Sequence, residues 1–290
     1  MVLVACFSGC GSPQKATDSD GADPSADSTA PVATSAPTSS PASDEPETFA
    51  DPEDAQQAMR QVVRAMRTER VTAFEFELST GGVVGQETEG VVSAEGWTSS
   101  TAFVSPDPDG PSHYTMRTIA TAGTLWMQMA EWTDEAEGCW LTLEPGQTPL
   151  GVLAMLPEEP AYVSLLAYVQ AIEFADETRS SIRAELAISR AMYLLTGKFV
   201  QLIDPDPTTP RKGRVPVLIG YDGRRITDLT LQGSDLAAAL VDAGADPTDQ
   251  ARAALDATEI TIEYPKSDAP RAVSAPAKEK QYSAGSRGCR

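Results

Sequence analysis

From Val71 to Tyr264 the chain repeatedly places apolar residues at every second position and then breaks at Gly, Pro or Asp. This alternation constrains the fold more than any other feature. In VTAFEFELS, Phe74, Phe76 and Leu78 alternate with polar or charged partners, the pattern of a strand with one buried face. Segments of the same kind follow at about 83–94, 97–104, 113–121, 124–131 and 138–143. Leu125, Met127 and Met129 share one face of TLWMQMAE, and Leu141 and Leu143 share one face of CWLTLE. The alternation resumes at Ile182, Ala184, Leu186 and Ile188 in RSSIRAELAIS. Val215, Val217 and Ile219 then lead into Tyr221-Asp222-Gly223, and Ile226, Leu229 and Leu231 lead out, so Asp-Gly predicts a hairpin with a type I′ turn. TEITIEYP closes the series with Ile260, Ile262 and Tyr264. Consecutive strands joined by short turns require an antiparallel sheet, because parallel neighbours need long crossovers.

A sheet with one apolar face needs a cover. Asp51-Pro52-Glu53-Asp54 reads as a helix start, with an N-cap acceptor, a first-turn proline and acids at the positive end of the dipole. Ala55, Met59, Val62, Val63 and Met66 follow at helical spacing. In the middle of the chain, TPLGVLAML and AYVSLLAYVQAIEF read as short apolar helical stretches carrying Leu150, Leu153, Met155, Leu165, Leu166 and Val169. SDLAAALVDAG reads as a helix with Ser234 as N-cap and Gly244 at its end, and PTDQARAALDA as a second. The opening helix and the Leu/Met-rich middle are the predicted covers.

The first ten residues, MVLVACFSGC, hold two overlapping lipobox-like signals. Small residues precede both Cys6 and Cys10, and Cys10-Gly11-Ser12 is the usual start of a mature bacterial lipoprotein. A basic n-region and most of an apolar h-region are missing, which implies about 10–20 further residues upstream. Residues 1–10 are therefore read as a signal remnant, with Cys10, or else Cys6, as the lipidation site. Residues 11–50 are almost wholly Ser, Thr, Pro, Ala, Asp and Gly, with no apolar period, and read as a disordered tether. As a flexible coil, such a tether spans roughly 35 Å root-mean-square. The folded domain is expected over 51–275, and the polar residues 276–290 as a flexible tail. This organisation predicts a protein lipid-anchored to the cell membrane on its extracytoplasmic face. Export permits a disulfide between Cys139 and Cys289, but nothing in the sequence brings them together, so pairing and a buried free Cys139 both stand open.

Charge and motifs exclude several functions. Against 22 bases stand 42 acids, a net charge of -20, which excludes nucleic-acid binding through clustered Lys and Arg. With His113 as the single histidine, sites that need two histidines are excluded, and neither a metal nor a cofactor is expected. There is no G-x-S-x-G elbow, no P-loop and no G-x-G-x-x-G after a strand, so no enzyme activity is expected. Asp107-Pro108-Asp109-Gly110 lacks the downstream glutamate of a calcium loop and reads, like Asp204-Pro205-Asp206-Pro207, as a turn. Glu75 and Glu77 point away from the phenylalanines and read as a solvated strand face.

Four stretches carry a resemblance: EDAQQAMRQVVRAMRTERVTAFEFELS, GTLWMQMAEWTDEAEGCWLTLEP, VPVLIGYDGRRITDLTLQG and ITIEYPKSDAPRAVSAP. In type and order they resemble the LppX/LprAFG lipoproteins of actinobacteria, within the LolA-like superfamily, over about 50–275. The resemblance implies an α+β fold: a curved antiparallel half-open β-barrel with helices covering the concave face, holding lipid or acylated molecules. The sequence departs from the family at the longer loop 205–214 and at the two helices across 234–257. The predicted ligand-binding set is the inward-facing Phe74, Phe76, Leu78, Leu125, Met127, Met129, Leu141, Leu186, Ile188, Val217 and Ile219. The competing expectation is that these residues pack a dry core. Burying a 16-carbon acyl chain yields roughly 12 kcal/mol gross, at about 0.8 kcal/mol per methylene, so an apolar cavity alone suffices for affinity. The expected partners are a lipid or acylated ligand, the membrane through the anchor, and an envelope protein if the domain acts instead as a non-transporting sensor or assembly factor.

Overall fold

The computed structural model describes residues 55–68, 71–105, 112–129, 138–143, 160–195, 212–266 and 273–283. Cys6, Cys10, the tether, Asp51–Asp54, Leu150, Leu153, Met155, the turns at Asp107–Gly110 and Asp204–Pro207, and Cys289 lie outside the described residues.

Helix α1 (Ala55–Thr68) buries Ala55, Ala58, Met59, Val62 and Met66 along one stripe. Six strands follow: β1 (Val71–Thr80), β2 (Val83–Ser93), β3 (Gly96–Ser105), β4 (Ser112–Thr121), β5 (Thr124–Met129) and β6 (Trp140–Leu143). Next come α2 (Ala161–Ser164, continued as a 3-10 turn over Leu165–Tyr168), β7 (Gln170–Phe174), β8 (Ser181–Ala187) and α3 (Ile188–Ala191, continued as a 3-10 turn over Met192–Leu194). The hairpin β9 (Arg214–Tyr221) and β10 (Ile226–Gln232) precedes α4 (Gly233–Asp242), α5 (Asp249–Asp256), β11 (Thr258–Glu263) and β12 (Gln281–Ser283). Among the described residues the twelve strands form one sheet in the order β12-β6-β5-β4-β3-β2-β1-β11-β10-β9-β8-β7. Every pairing is antiparallel except β12 on β6. The sheet does not close, and with its helices it forms the curved α+β half-open barrel that the alternation and the resemblance imply.

Local chemistry accounts for the turns. The β1–β2 hairpin turns on Gly81 and Gly82, both at positive φ (61° and 76°), as a type I′ turn requires. The Asp222-Gly223 turn differs from expectation. Tyr221 pairs with Ile226 across a four-residue loop, and only Gly223 is left-handed. Asp222 Oδ1 accepts from the backbone N–H of Arg224 (2.9 Å) and Arg225 (2.8 Å), an Asx arrangement that favours the longer loop.

Other boundaries also depart from the sequence reading. QAIEF is not helical: the helical run ends at Tyr168, and Gln170–Phe174 pairs with β8 as an edge strand whose Ile172 is 57% exposed. Ile188 is not the last residue of a strand but the first of α3, although it is fully buried. Ser234 does not cap α4. The helix starts two residues earlier than that cap implies, at Gly233 with Gln232 as its N-cap; a Cβ on Gly233 would lie 2.1 Å from the Leu255 carbonyl oxygen, so only glycine fits against the end of α5. Thr248 does cap α5, accepting from Ala251 N–H at 3.2 Å. In the segment read as a loose tail, Gln281–Ser283 runs parallel to β6. Beside it, Cys139 is 3% exposed and disulfide-bonded, so it is not a free buried thiol.

The buried apolar residues fall into two clusters. The larger joins the inner faces of β1, β11, β10, β9, β8 and β7 to all five helices. The smaller comprises Trp97, Met116, Ala120, Leu125, Met127 and Leu143 on β3–β6.

Candidate functional site

The structure places the predicted ligand-binding residues in both clusters. Phe74, Phe76, Leu78, Leu186, Ile188, Val217 and Ile219 belong to the helix-packed cluster. Leu125 and Met127 belong to the smaller one, with Met129 and Leu141 half-buried against it. Strand register shows what separates them. One cross-strand row runs Phe74–Gly90–Ser99–Thr118–Met127–Leu141, and the next runs Phe76–Thr88–Thr101–Met116–Met129. In both rows, hydroxyl residues stand between aromatic rings on one side and methionine on the other.

Sequence reasoning missed this polar band. Gln86, Thr88, Ser99, Thr101 and Thr118 are all buried. The signal was present in QETE and TSST, where β2 and β3 are polar at both parities, so one polar set had to face inward. Much of the band is satisfied internally. Thr88 and Thr101 share a hydroxyl–hydroxyl bond of 3.0 Å. Gln86 Nε2 donates to the Tyr162 hydroxyl at 3.3 Å and to Thr88 Oγ1 at 3.4 Å. Tyr162 stands 5.3 Å from Phe74 and 4.6 Å from Phe76, ring centre to ring centre, and its carbonyl accepts from the Tyr264 hydroxyl at 2.6 Å. Burial pushes its phenol up to about 12, against weaker lowering by hydrogen bonds from Thr88 and Gln86. Ser99 differs: it is 5% exposed and, among the described residues, its Oγ has no hydrogen-bond partner. A buried hydroxyl left unpaired costs about 1–3 kcal/mol.

Gly90 lets the rings approach the band. A Cβ there would lie 2.3 Å from Phe74 Cζ and 2.7 Å from the Thr98 carbonyl oxygen. Among the described residues, the helices pack on the β1 and β7–β11 half, and none belongs to the cluster on β3–β6.

The outer face is chemically opposite. Glu75 stands directly across from Glu89 on one side and Glu263 on the other, and Glu77 across from Glu87. With Ser100, Ala102 and Thr261 they line an open groove of about 610 Å³. Directly opposed like charges destabilise a sheet slightly and make this surface repel anions. His113 is exposed on β4. Among the described residues, no group of His, Cys, Asp and Glu could hold a metal ion, and no helix is long and apolar enough to cross a membrane.

No family model and no curated protein matches the chain. Solved structures similar to it include two mycobacterial proteins. LprF from Mycobacterium bovis is 9% identical, with 77% of this chain and 96% of that one covered and a TM-score of 0.37. The lipoprotein LppX from Mycobacterium tuberculosis is 11% identical, with 75% and 96% covered and a TM-score of 0.34. Superpositions this loose assign neither a site nor a ligand to this chain.

Proposed function

We propose that this chain is a membrane-anchored envelope lipoprotein, with lipid on Cys10 or Cys6, that holds a lipid or acylated molecule against its inner face. The observation that carries this reading is the divided interior. Among the described residues, the apolar cluster on β3–β6 is distinct from the helix-packed core; half-buried Val92 touches both, and elsewhere a band of buried polar groups lies between them. An apolar surface with a few placed polar groups is the usual composition of a small-molecule site. The Ser/Thr/Pro/Ala/Asp segment 11–50 and the small residues before the two N-terminal cysteines support the anchor and the extracytoplasmic location. No catalytic role is assigned to any residue.

A second reading has its own support. Ile182, Leu186, Ile219, Ile226 and Leu229 are completely buried, so the helix-packed half is a dense core, as suits a non-transporting sensor or assembly factor working through protein contacts. The two readings are separated by native mass spectrometry of the full chain, expressed behind a lipoprotein signal peptide in an actinobacterial host and extracted from it. The carrier reading expects a co-purifying acyl lipid in addition to the covalent diacylglycerol; an apo mass would leave the protein-contact reading. In the same host, Cys6→Ala plus Cys10→Ala should release the protein from the membrane fraction, and unchanged partitioning would refute the anchor.

A further inference from the structure

Building on the carrier reading, we propose that the buried hydroxyl row on β2–β4 is a polar subsite for the uncharged ester or hydroxyl group of an acyl ligand, with Ser99 Oγ as its hydrogen-bonding centre. Ser99 is more than nine-tenths buried, yet among the described residues its hydroxyl has no hydrogen-bond partner. Its cross-strand neighbours are Gly90, which has no side chain to offer, and Thr118. A serine hydroxyl both donates and accepts, so it suits an ester carbonyl or an alcohol equally.

The surroundings define the ligand class. Among the described residues, the inward positions of β2–β6 carry the polar Gln86, Thr88, Ser99, Thr101, Tyr114 and Thr118 together with aromatic and aliphatic residues and Gly90, with no carboxylate and no cation. The Tyr162 phenol at the band's edge stays neutral at physiological pH. Among the described residues, a phosphate or carboxylate at this row would be buried without a counter-ion, which is strongly unfavourable. A pure hydrocarbon would leave Ser99 unpaired. A neutral acyl ester meets both conditions. With its polar group on Ser99, its chain lies along Met127, Met129 and Leu141, where flexible thioether side chains adapt to chain shape.

The test uses the full-length chain and its Ser99→Ala variant. Displacement of an apolar fluorescent dye by monoolein, by oleate and by 1-octadecene is measured, together with the thermal midpoint. Ser99→Ala should leave the midpoint unchanged or raised, because the lost hydroxyl makes no bond among the described residues. Monoolein affinity should fall about five- to tenfold, the effect of one hydrogen bond, while octadecene affinity stays the same. In the parent, oleate should bind more weakly than monoolein. Equal monoolein affinity in parent and variant, equal losses for monoolein and octadecene, or a lowered midpoint without any change in ligand preference would each overturn the subsite while leaving the carrier reading intact. A parent that binds none of the three probes would overturn the carrier reading itself, and the subsite with it.

Discussion

Replacing Tyr162 by phenylalanine should weaken the fold near neutral pH and cease to do so in alkali. The ring is fully buried between α2 and the aromatic pair Phe74 and Phe76, and its hydroxyl accepts from Gln86. At about pH 8, Tyr162→Phe deletes that bond and leaves the Gln86 amide with its 3.4 Å contact to Thr88, a loss of about 0.5–1.5 kcal/mol. Burial raises the phenol from 10.0 to about 12 in the folded chain, so folding favours the protonated form. Because the folded value lies above the unfolded one, this contribution is complete below about pH 10 and is lost as pH rises towards about 12. At about pH 11 the unfolded chain has largely released the proton and the folded chain has kept it, which removes about 1.4 kcal/mol from the parent. The phenylalanine variant has no such proton to lose. Urea unfolding of both proteins at both pH values gives the two differences directly. The penalty seen at about pH 8 should vanish or reverse at about pH 11. A variant-minus-parent difference independent of pH would refute the buried, hydrogen-bonded phenol.

Two further outcomes are expected. Gly90→Ala should lower stability by about 1–3 kcal/mol by overpacking, since the new methyl meets both the Phe74 ring and the immovable Thr98 carbonyl; an unchanged thermal midpoint would show that the ring does not lie over Gly90. Reducing the Cys139 disulfide should cost about 2–4 kcal/mol and lower the midpoint by roughly 5–15 °C. Because β12 returns the C-terminal segment to β6, non-reducing peptide mapping should find Cys139 joined to Cys289, and a peptide linking it to Cys6 or Cys10 would refute that pairing.

Some of this fold could be read directly. The alternation of Phe74, Phe76 and Leu78, or of Val215, Val217 and Ile219, is a local property that follows from the two-residue period of an extended chain. The stripe Ala55, Met59, Val62 and Met66 is equally local, because a helix brings those positions together whatever surrounds it. QAIEF misled because it directly continues a helical pattern; its pairing with β8, 8 to 15 residues away in sequence, overrides that periodicity. Ser234 misled because the start of α4 is set by contact with α5, across a distance no capping rule sees.

The sequence by itself thus determined the strand faces, the antiparallel character and the opening helix. Only the tertiary structure decided that the apolar residues would separate into two clusters. Phe74 and Met127 both face inward, and nothing in their spacing tells that Ser99 and Thr118 stand between them. That relation exists only once four turns have closed and five strands have locked in register. Side-chain alternation is set within a strand, but neighbours across a sheet are set by pairing between strands.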